Sequence, residues 1–221
     1  EKSSSKYYDS PRYISHSNST QGIINKTYHL VRNIMLQRKM SLLQKYSSSK
    51  EVLDIGCGTG YFLKVLKDNQ YSTFGIEINE GARRFAIENF GLIVKEPETL
   101  ISGQINKKFG IISMWHVLEH IYSPKILLQS ISKVLDDNGI LVIAVPNYKS
   151  TDANHYQSAW AGYDVPRHIW HFNPVSMSVF MNTCGFKLIA LHRLPFDAYY
   201  VSMLSESYKK KKLFFILGFV H

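Results

Sequence analysis

Two sets of residues in this chain have types and spacing that fit chemistry. The first is Asp54-Ile-Gly56-Cys57-Gly58-Thr59-Gly60, an acid followed by three glycines at spacing two. Glycine lets the backbone turn tightly and approach a ligand with no Cβ in the way. Free N–H groups of such a loop, at the start of a helix, favour a polar or anionic ligand group. A dinucleotide fingerprint, Gly-x-Gly-x-x-Gly, is not met, because position 61 is Tyr and the third glycine comes one residue early. Asp54 also has no place beside a phosphate; a carboxylate there suits an ammonium group and hydroxyls. Glu77 follows 17 residues after Gly60, at the end of an apolar run. In open α/β folds a carboxylate at that place accepts ribose hydroxyls. The second set is histidine-rich: His116-Val-Leu-Glu119-His120 and Arg167-His168-Ile-Trp-His171.

The surrounding elements must hold these groups. Val52, Leu53 and Ile55 read as a buried strand over Glu51–Ile55, and Tyr61–Lys67 as the helix after the turn. The alternation then continues with strands near Thr73–Ile78, Leu92–Val94, Gly110–Trp115, Ile140–Val145 and Phe186–Leu194. Helices are expected near Glu80–Asn89, from Pro124 to Leu135, from Asn173-Pro174 to Gly185, and over Ala198–Tyr208. Asp136–Gly139 reads as a turn and Pro146–Phe172 as a long loop after strand five. Such an alternation predicts an α/β fold with a doubly wound, mostly parallel sheet. Ahead of it, Ile24, Tyr28, Val31, Met35, Leu42 and Tyr46 recur at helical spacing. Residues 1–49 are therefore read as an irregular arm and helical cover, 50–194 as the core, and 195–221 as a helical basic and apolar tail.

Asp54, Gly56, Gly58 and Gly60 resemble motif I of the class I S-adenosylmethionine-dependent methyltransferases. Trp115-His116-Val-Leu-Glu119-His120 and Gly139–Asn147 are similar to the strand-four and strand-five segments of the ubiquinone-biosynthesis O-methyltransferase group. The resemblance implies a Rossmann-like methyltransferase fold and S-adenosylmethionine as cofactor, with S-adenosylhomocysteine as product. It implies that Asp54 and the loop Gly56, Cys57, Gly58 and Gly60 face the methionine part, Glu77 with Ile78 the ribose, and Trp115 and His116 the far side of the cofactor. Glu96, in Lys95-Glu-Pro-Glu98, is the candidate for the adenine contact. The acceptor it implies is a small or lipid-like molecule, methylated at O or N and less readily at C. A cofactor-binding regulator without catalysis and an RNA methyltransferase are the competing readings.

His116, His168 and His171 are the candidate catalytic bases, since imidazole exchanges protons near neutral pH. For the two loop histidines, a staple bonded to backbone is an equally good reading. His116-x-x-Glu119-His120 also matches an inverted zinc-protease pattern, but it follows a strand at the spacing of the methyltransferase motif and no further ligand carboxylate stands out. No metal is expected from the sequence. Tyr148, Tyr156, Trp160, Tyr163 and Trp170 make the loop aromatic, which suits a flat or apolar acceptor.

The 221 residues, 45% of them apolar, are enough to bury a sizeable core. No run reaches the ~18 apolar residues of a membrane span, and none reads as a signal peptide. Glu1 rather than Met at the start points to lost N-terminal residues. Cys57 and Cys184 do not make a disulfide framework, so a cytoplasmic setting is expected. The net charge of +9 is carried by the ends: residues 1–50 hold nine Lys/Arg against two Asp/Glu, and 51–150 hold ten against eleven. A nucleic-acid enzyme more often has its basic surface around the cleft, so no nucleic-acid partner is expected. Lys209–Lys212 and the apolar run to Val220 read as a helix packed on protein, or as a peripheral membrane contact through 209–220.

Overall fold

The computed structural model describes residues 23–209, with side chains from Leu30 onward. The expected arm at 1–19 and the basic–apolar run beyond Lys209 lie outside the described residues. The chain divides into two compact units, one of residues 23–115 with 126–143 and one of 116–125 with 144–209.

In the first unit a single helix, α1 (Ile23–Tyr46), precedes the sheet. Its buried stripe is Leu36, Met40 and Leu43, at helical spacing but one position along from the expected Met35 and Leu42, which are half-buried. Strand β1 (Glu51–Ile55) leads through the glycine turn into α2 (Tyr61–Asp68), which buries Phe62, Leu63 and Leu66. Next come β2 (Ser72–Ile76), α3 (Glu80–Phe90), the two-residue β3 (Val94–Lys95), the short α4 (Pro97–Ile101) and β4 (Phe109–Trp115). Helix α5 (Pro124–Val134) then runs directly into β5 (Leu135–Ala144). The expected turn at 136–139 is solvent-exposed through Asn138 but lies inside the strand's span. At Gly139 a Cβ would stand 2.9 Å from the Asp136 carbonyl oxygen, so the chain curves back there.

The strands are parallel in the order β3-β2-β1-β4-β5. Val52, Leu53 and Ile55 are buried, as a strand covered on both faces requires. Register sets Asp54 opposite Gly75 on one side and Ser113 on the other. Crossovers run from β1 toward β2 and β3, then reverse toward β4 and β5. The reversal opens a crevice at the carboxyl ends of β1 and β4, where such sheets bind ligands.

The second unit is built from short helices. The expected long loop Pro146–Phe172 holds a helix, α6 (Thr151–Tyr156), and 3-10 turns at Gln157–Ala159 and Ala161–Tyr163. Ser150 starts α6 by accepting a hydrogen bond from Ala153 N at 3.1 Å, a cap that the Ser-Thr-Asp sequence signals. Helix α7 (Pro174–Thr183) is capped as expected: Asn173 Oδ1 accepts from the amides of Val175 and Ser176 at 2.9 and 3.0 Å. Helix α8 (Pro195–Tyr208) follows. Ala153, Tyr156 and Trp160 form a small core with Tyr148, Tyr163 and Val201. The expected strand at Phe186–Leu194 is absent: those residues are irregular, with Leu188, Ile189 and Leu191 exposed. An alternating apolar stretch becomes a strand only when an edge pairs with it, and its backbone here enters no ladder. Among the described residues, no helix is long and apolar enough to cross a membrane.

Candidate active site

The glycine turn is held by backbone and by one carboxylate. Gly56 and Cys57 both donate to the Ile76 carbonyl, at 2.7 and 3.1 Å, which ties the loop to the end of β2. Glu77, the next residue, is buried and accepts from Gly58 N at 2.7 Å through Oε2 and from Asn79 N at 2.8 Å through Oε1. A carboxylate has about four lone-pair sites, so each oxygen keeps capacity for a further donor. Asn79 in turn caps α3 through Ala82 N, and Arg83 of α3 donates to the carbonyls of Glu77 and Ile78. The Ile78 side chain is 68% exposed.

Gly58 and Gly60 differ in what surrounds them. Gly58 has φ +54° and no atom within 4 Å of where a Cβ would stand, so the turn leaves open space at its tip. Gly60 has φ +80°, and a Cβ there would meet Leu92 Cδ1 at 2.6 Å and Ala86 Cβ at 2.9 Å. The last glycine is thus a packing requirement and the middle one a cradle.

Asp54 is buried at the end of β1 and accepts a hydrogen bond from the Ser113 hydroxyl at 2.6 Å. Burial pushes its carboxyl up to about 7, opposed by that hydrogen bond and by the charge of Lys39. Burial, with Asp54 and Glu77 nearby, pushes the Cys57 thiol up as well, which disfavours the reactive thiolate. Trp115, at the end of β4, has Lys39 Nζ 4.5 Å from its ring centre and Phe62 edge-on at 5.8 Å. Its indole Nε1 is buried and donates to nothing among the described residues. Glu96 is exposed after β3, where it lines an open pocket of about 380 Å³ with Arg83, Val94, Lys95, Thr99 and Gln104.

The histidines belong to the second unit. His116 stands at φ +58°, and both ring nitrogens face carboxylates: Nε2 is 2.9 Å from Asp197 Oδ2 and Nδ1 is 3.5 Å from Glu119 Oε1. Burial opposes its charging, but these two acids outweigh burial and raise its pKa to about 9. His168 Nδ1 is 2.9 Å from the Gly162 carbonyl, and His171 Nε2 is 3.0 Å from the Tyr163 carbonyl. Both loop histidines therefore make the staple contact, with one nitrogen left on each. Nothing in the local sequence around Ser113, Lys39 and Asp197 marks them as partners of the site.

The strand order, the crevice at the reversal and a glycine turn flanked by two buried carboxylates define a Rossmann-like nucleotide-binding domain. The chain belongs to the methyltransferase domain family, whose profile matches residues 28–191, and within it to the class I, S-adenosylmethionine-dependent kind. It is 30% identical over 109 residues to the ubiquinone biosynthesis O-methyltransferase of Actinobacillus pleuropneumoniae, covering 44% of this chain and 46% of that one. The corresponding protein of Pelagibacter ubique is 30% identical over 126 residues, covering 54% and 51%. The chain thus spans about half the length of the curated relatives it matches. Its fold is similar to that of magnesium protoporphyrin IX methyltransferase from Synechocystis PCC 6803, with a TM-score of 0.64 at 13% identity over 86% of this chain and 91% of that one. A methyltransferase from Archaeoglobus fulgidus shares it with a TM-score of 0.57 at 20% identity, over 81% and 86%.

Proposed function

We propose that this chain transfers a methyl group from S-adenosylmethionine to an oxygen or nitrogen of a small-molecule or lipid-like acceptor. The observation that carries the reading is the pair of buried carboxylates, Asp54 and Glu77, at the ends of adjacent strands on either side of the glycine turn. The residues fit the cofactor. Asp54, a carboxylate whose charged form burial destabilises, is suited to an ammonium group. Glu77 keeps acceptor capacity on both oxygens for a diol, and the space at Gly58 admits a ligand against the backbone. Trp115 Nε1 is a buried donor available to a polar ligand atom. Glu96 is assigned to the adenine side, where the pocket after β3 opens.

When bound, S-adenosylmethionine supplies an already activated methyl group. The chain's own part is then to bind, orient and exclude water, which supplies most of the rate in such transfers. Where the acceptor must lose a proton, the unbonded nitrogen of His168 or His171 is the base we assign. His116 is the weaker candidate, since carboxylates face both of its nitrogens. The oxygen acceptor is favoured by the names of the curated relatives. A lipid-like acceptor would be met at a membrane surface through the run beyond Lys209.

The test is calorimetry with S-adenosylmethionine, S-adenosylhomocysteine and NAD, followed by methyl transfer to a panel of phenols, amines, quinol precursors and RNA. Binding of the first two without NAD, and turnover on a small acceptor, is the expected result. Binding without turnover on any acceptor would favour the regulatory reading. Transfer to RNA with steep salt dependence would overturn the acceptor assignment.

A further inference from the structure

We propose that Glu119, His120 and His168 form a binding site for one divalent transition-metal cation, of which Zn²⁺ is the best match. The three side chains bring one ligand atom each within 4.8 Å of one another. They come from segments nearly fifty residues apart, and the backbone holds the two together. Ile169 N and Trp170 N donate to the Glu119 carbonyl at 3.0 and 3.2 Å, and Trp170 Nε1 donates to the Ile121 carbonyl at 2.8 Å. These bonds lay the 164–172 loop on the 118–121 turn.

The hydrogen bonds fix which ring nitrogen carries the proton. His120 Nδ1 is 3.0 Å from the Arg167 carbonyl, and His168 Nδ1 is 2.9 Å from the Gly162 carbonyl. A carbonyl oxygen only accepts, so Nδ1 carries the proton in each ring. In the neutral rings both Nε2 atoms then present lone pairs. A histidine whose other nitrogen is tied to a backbone carbonyl is the usual arrangement around a metal.

The second observation is independent of the histidines. Glu119 is fully buried, and neither carboxylate oxygen accepts a hydrogen bond among the described residues. A buried carboxylate without donors is costly unless a charge compensates it. His116 Nδ1 approaches one oxygen at 3.5 Å, and His168 Nε2 stands 3.9 Å from the same oxygen and 3.7 Å from Asp164 Oδ2. A cation drawn into this group would meet two imidazole nitrogens and a carboxylate, and with His168 Nε2 so engaged the base assigned above is His171. That donor set suits zinc and its neighbours rather than magnesium or calcium, which prefer all-oxygen shells. Three protein ligands leave a coordination position open for water or a substrate oxygen.

Metal content of the full chain is the direct measure. After equilibration with Zn²⁺ and removal of excess by gel filtration, about one equivalent should remain and the thermal midpoint should rise. A chelator should reverse both. Glu119→Gln, which keeps the shape of the side chain, and His168→Ala should each weaken Zn²⁺ binding more than about tenfold. His171→Ala, outside the cluster, should leave Zn²⁺ retention unchanged. His120→Ala is the variant to use if either of the first two fails to fold, as its side chain is less buried than that of Glu119. Retention below about a tenth of an equivalent in the wild-type chain would overturn the proposal. So would equal retention in the folded cluster variants, which would put the metal elsewhere.

Discussion

Glu77 and Gly58 stand nineteen residues apart and are joined by a 2.7 Å hydrogen bond from the glycine amide to the carboxylate. The end of β2 therefore shapes the turn that follows β1. Glu77 is both a ligand candidate and part of the frame. Glu77→Ala should cost roughly 2–4 kcal/mol of cofactor affinity, since hydrogen bonds to charged groups contribute about 1.5–3 each and are not fully additive. Removing the 2′-hydroxyl from the ligand separates the two roles: it should hurt the wild type far more than the variant. Equal losses in titration calorimetry would mean that Glu77 holds the turn and not the ribose.

Asp54 sets a pH dependence of opposite sense for folding and for binding. Its carboxyl is pushed up to about 7 in the fold, while an unfolded aspartate titrates near about 3.9. Between these values the native state holds the extra proton. The cofactor-free protein should lose stability as pH rises from about 4 to 7. An ammonium ligand needs the charged carboxylate. Cofactor affinity should be flat above about 7 and fall by up to about tenfold per unit below it. Asp54→Asn should flatten both profiles, and calorimetry across pH with thermal melts would show whether it does.

The two glycines should fail in different ways. Gly60→Ala places a Cβ against Leu92 and Ala86 at a left-handed φ. The expected cost is about 1–3 kcal/mol from overpacking plus roughly 1–2 from the backbone. Gly58→Val meets open space, so the fold should persist at a smaller cost while cofactor binding is lost. Chemical denaturation paired with binding would distinguish them; a folded Gly58→Val chain with wild-type affinity would place the cofactor elsewhere.

Trp115→Phe keeps an aromatic ring beside Lys39 and Phe62 but removes the buried indole N–H. If that donor meets the cofactor, affinity should fall by about 0.5–1.5 kcal/mol with no loss of stability. A more stable variant with unchanged affinity would show that the N–H is only a buried group without a partner.

How much of this was legible in the sequence follows from the range of the forces involved. The turn from Asp54 to Gly60, the strand before it and the cap at Asn173 are local: hydrophobic period, backbone freedom and a side chain bonding its own neighbours specify them within a few residues. The sequence also determined that Glu77 would end up at a strand end, because a carboxylate closing an apolar run has few other places to go. It did not determine partners. Ser113 reaches Asp54 across 59 residues and Asp197 reaches His116 across 81, and such pairs exist only once strands and helices have been brought together. The same limit explains Phe186–Leu194, whose apolar alternation marks a face but cannot supply the neighbouring edge that a strand needs. It also explains the helical stripe of Leu36, Met40 and Leu43, where packing chose one of two adjacent faces. The Glu119, His120 and His168 cluster is tertiary in the same sense: the motif offers two of its residues, and only the loop's backbone bonds to Glu119 and Ile121 bring in the third.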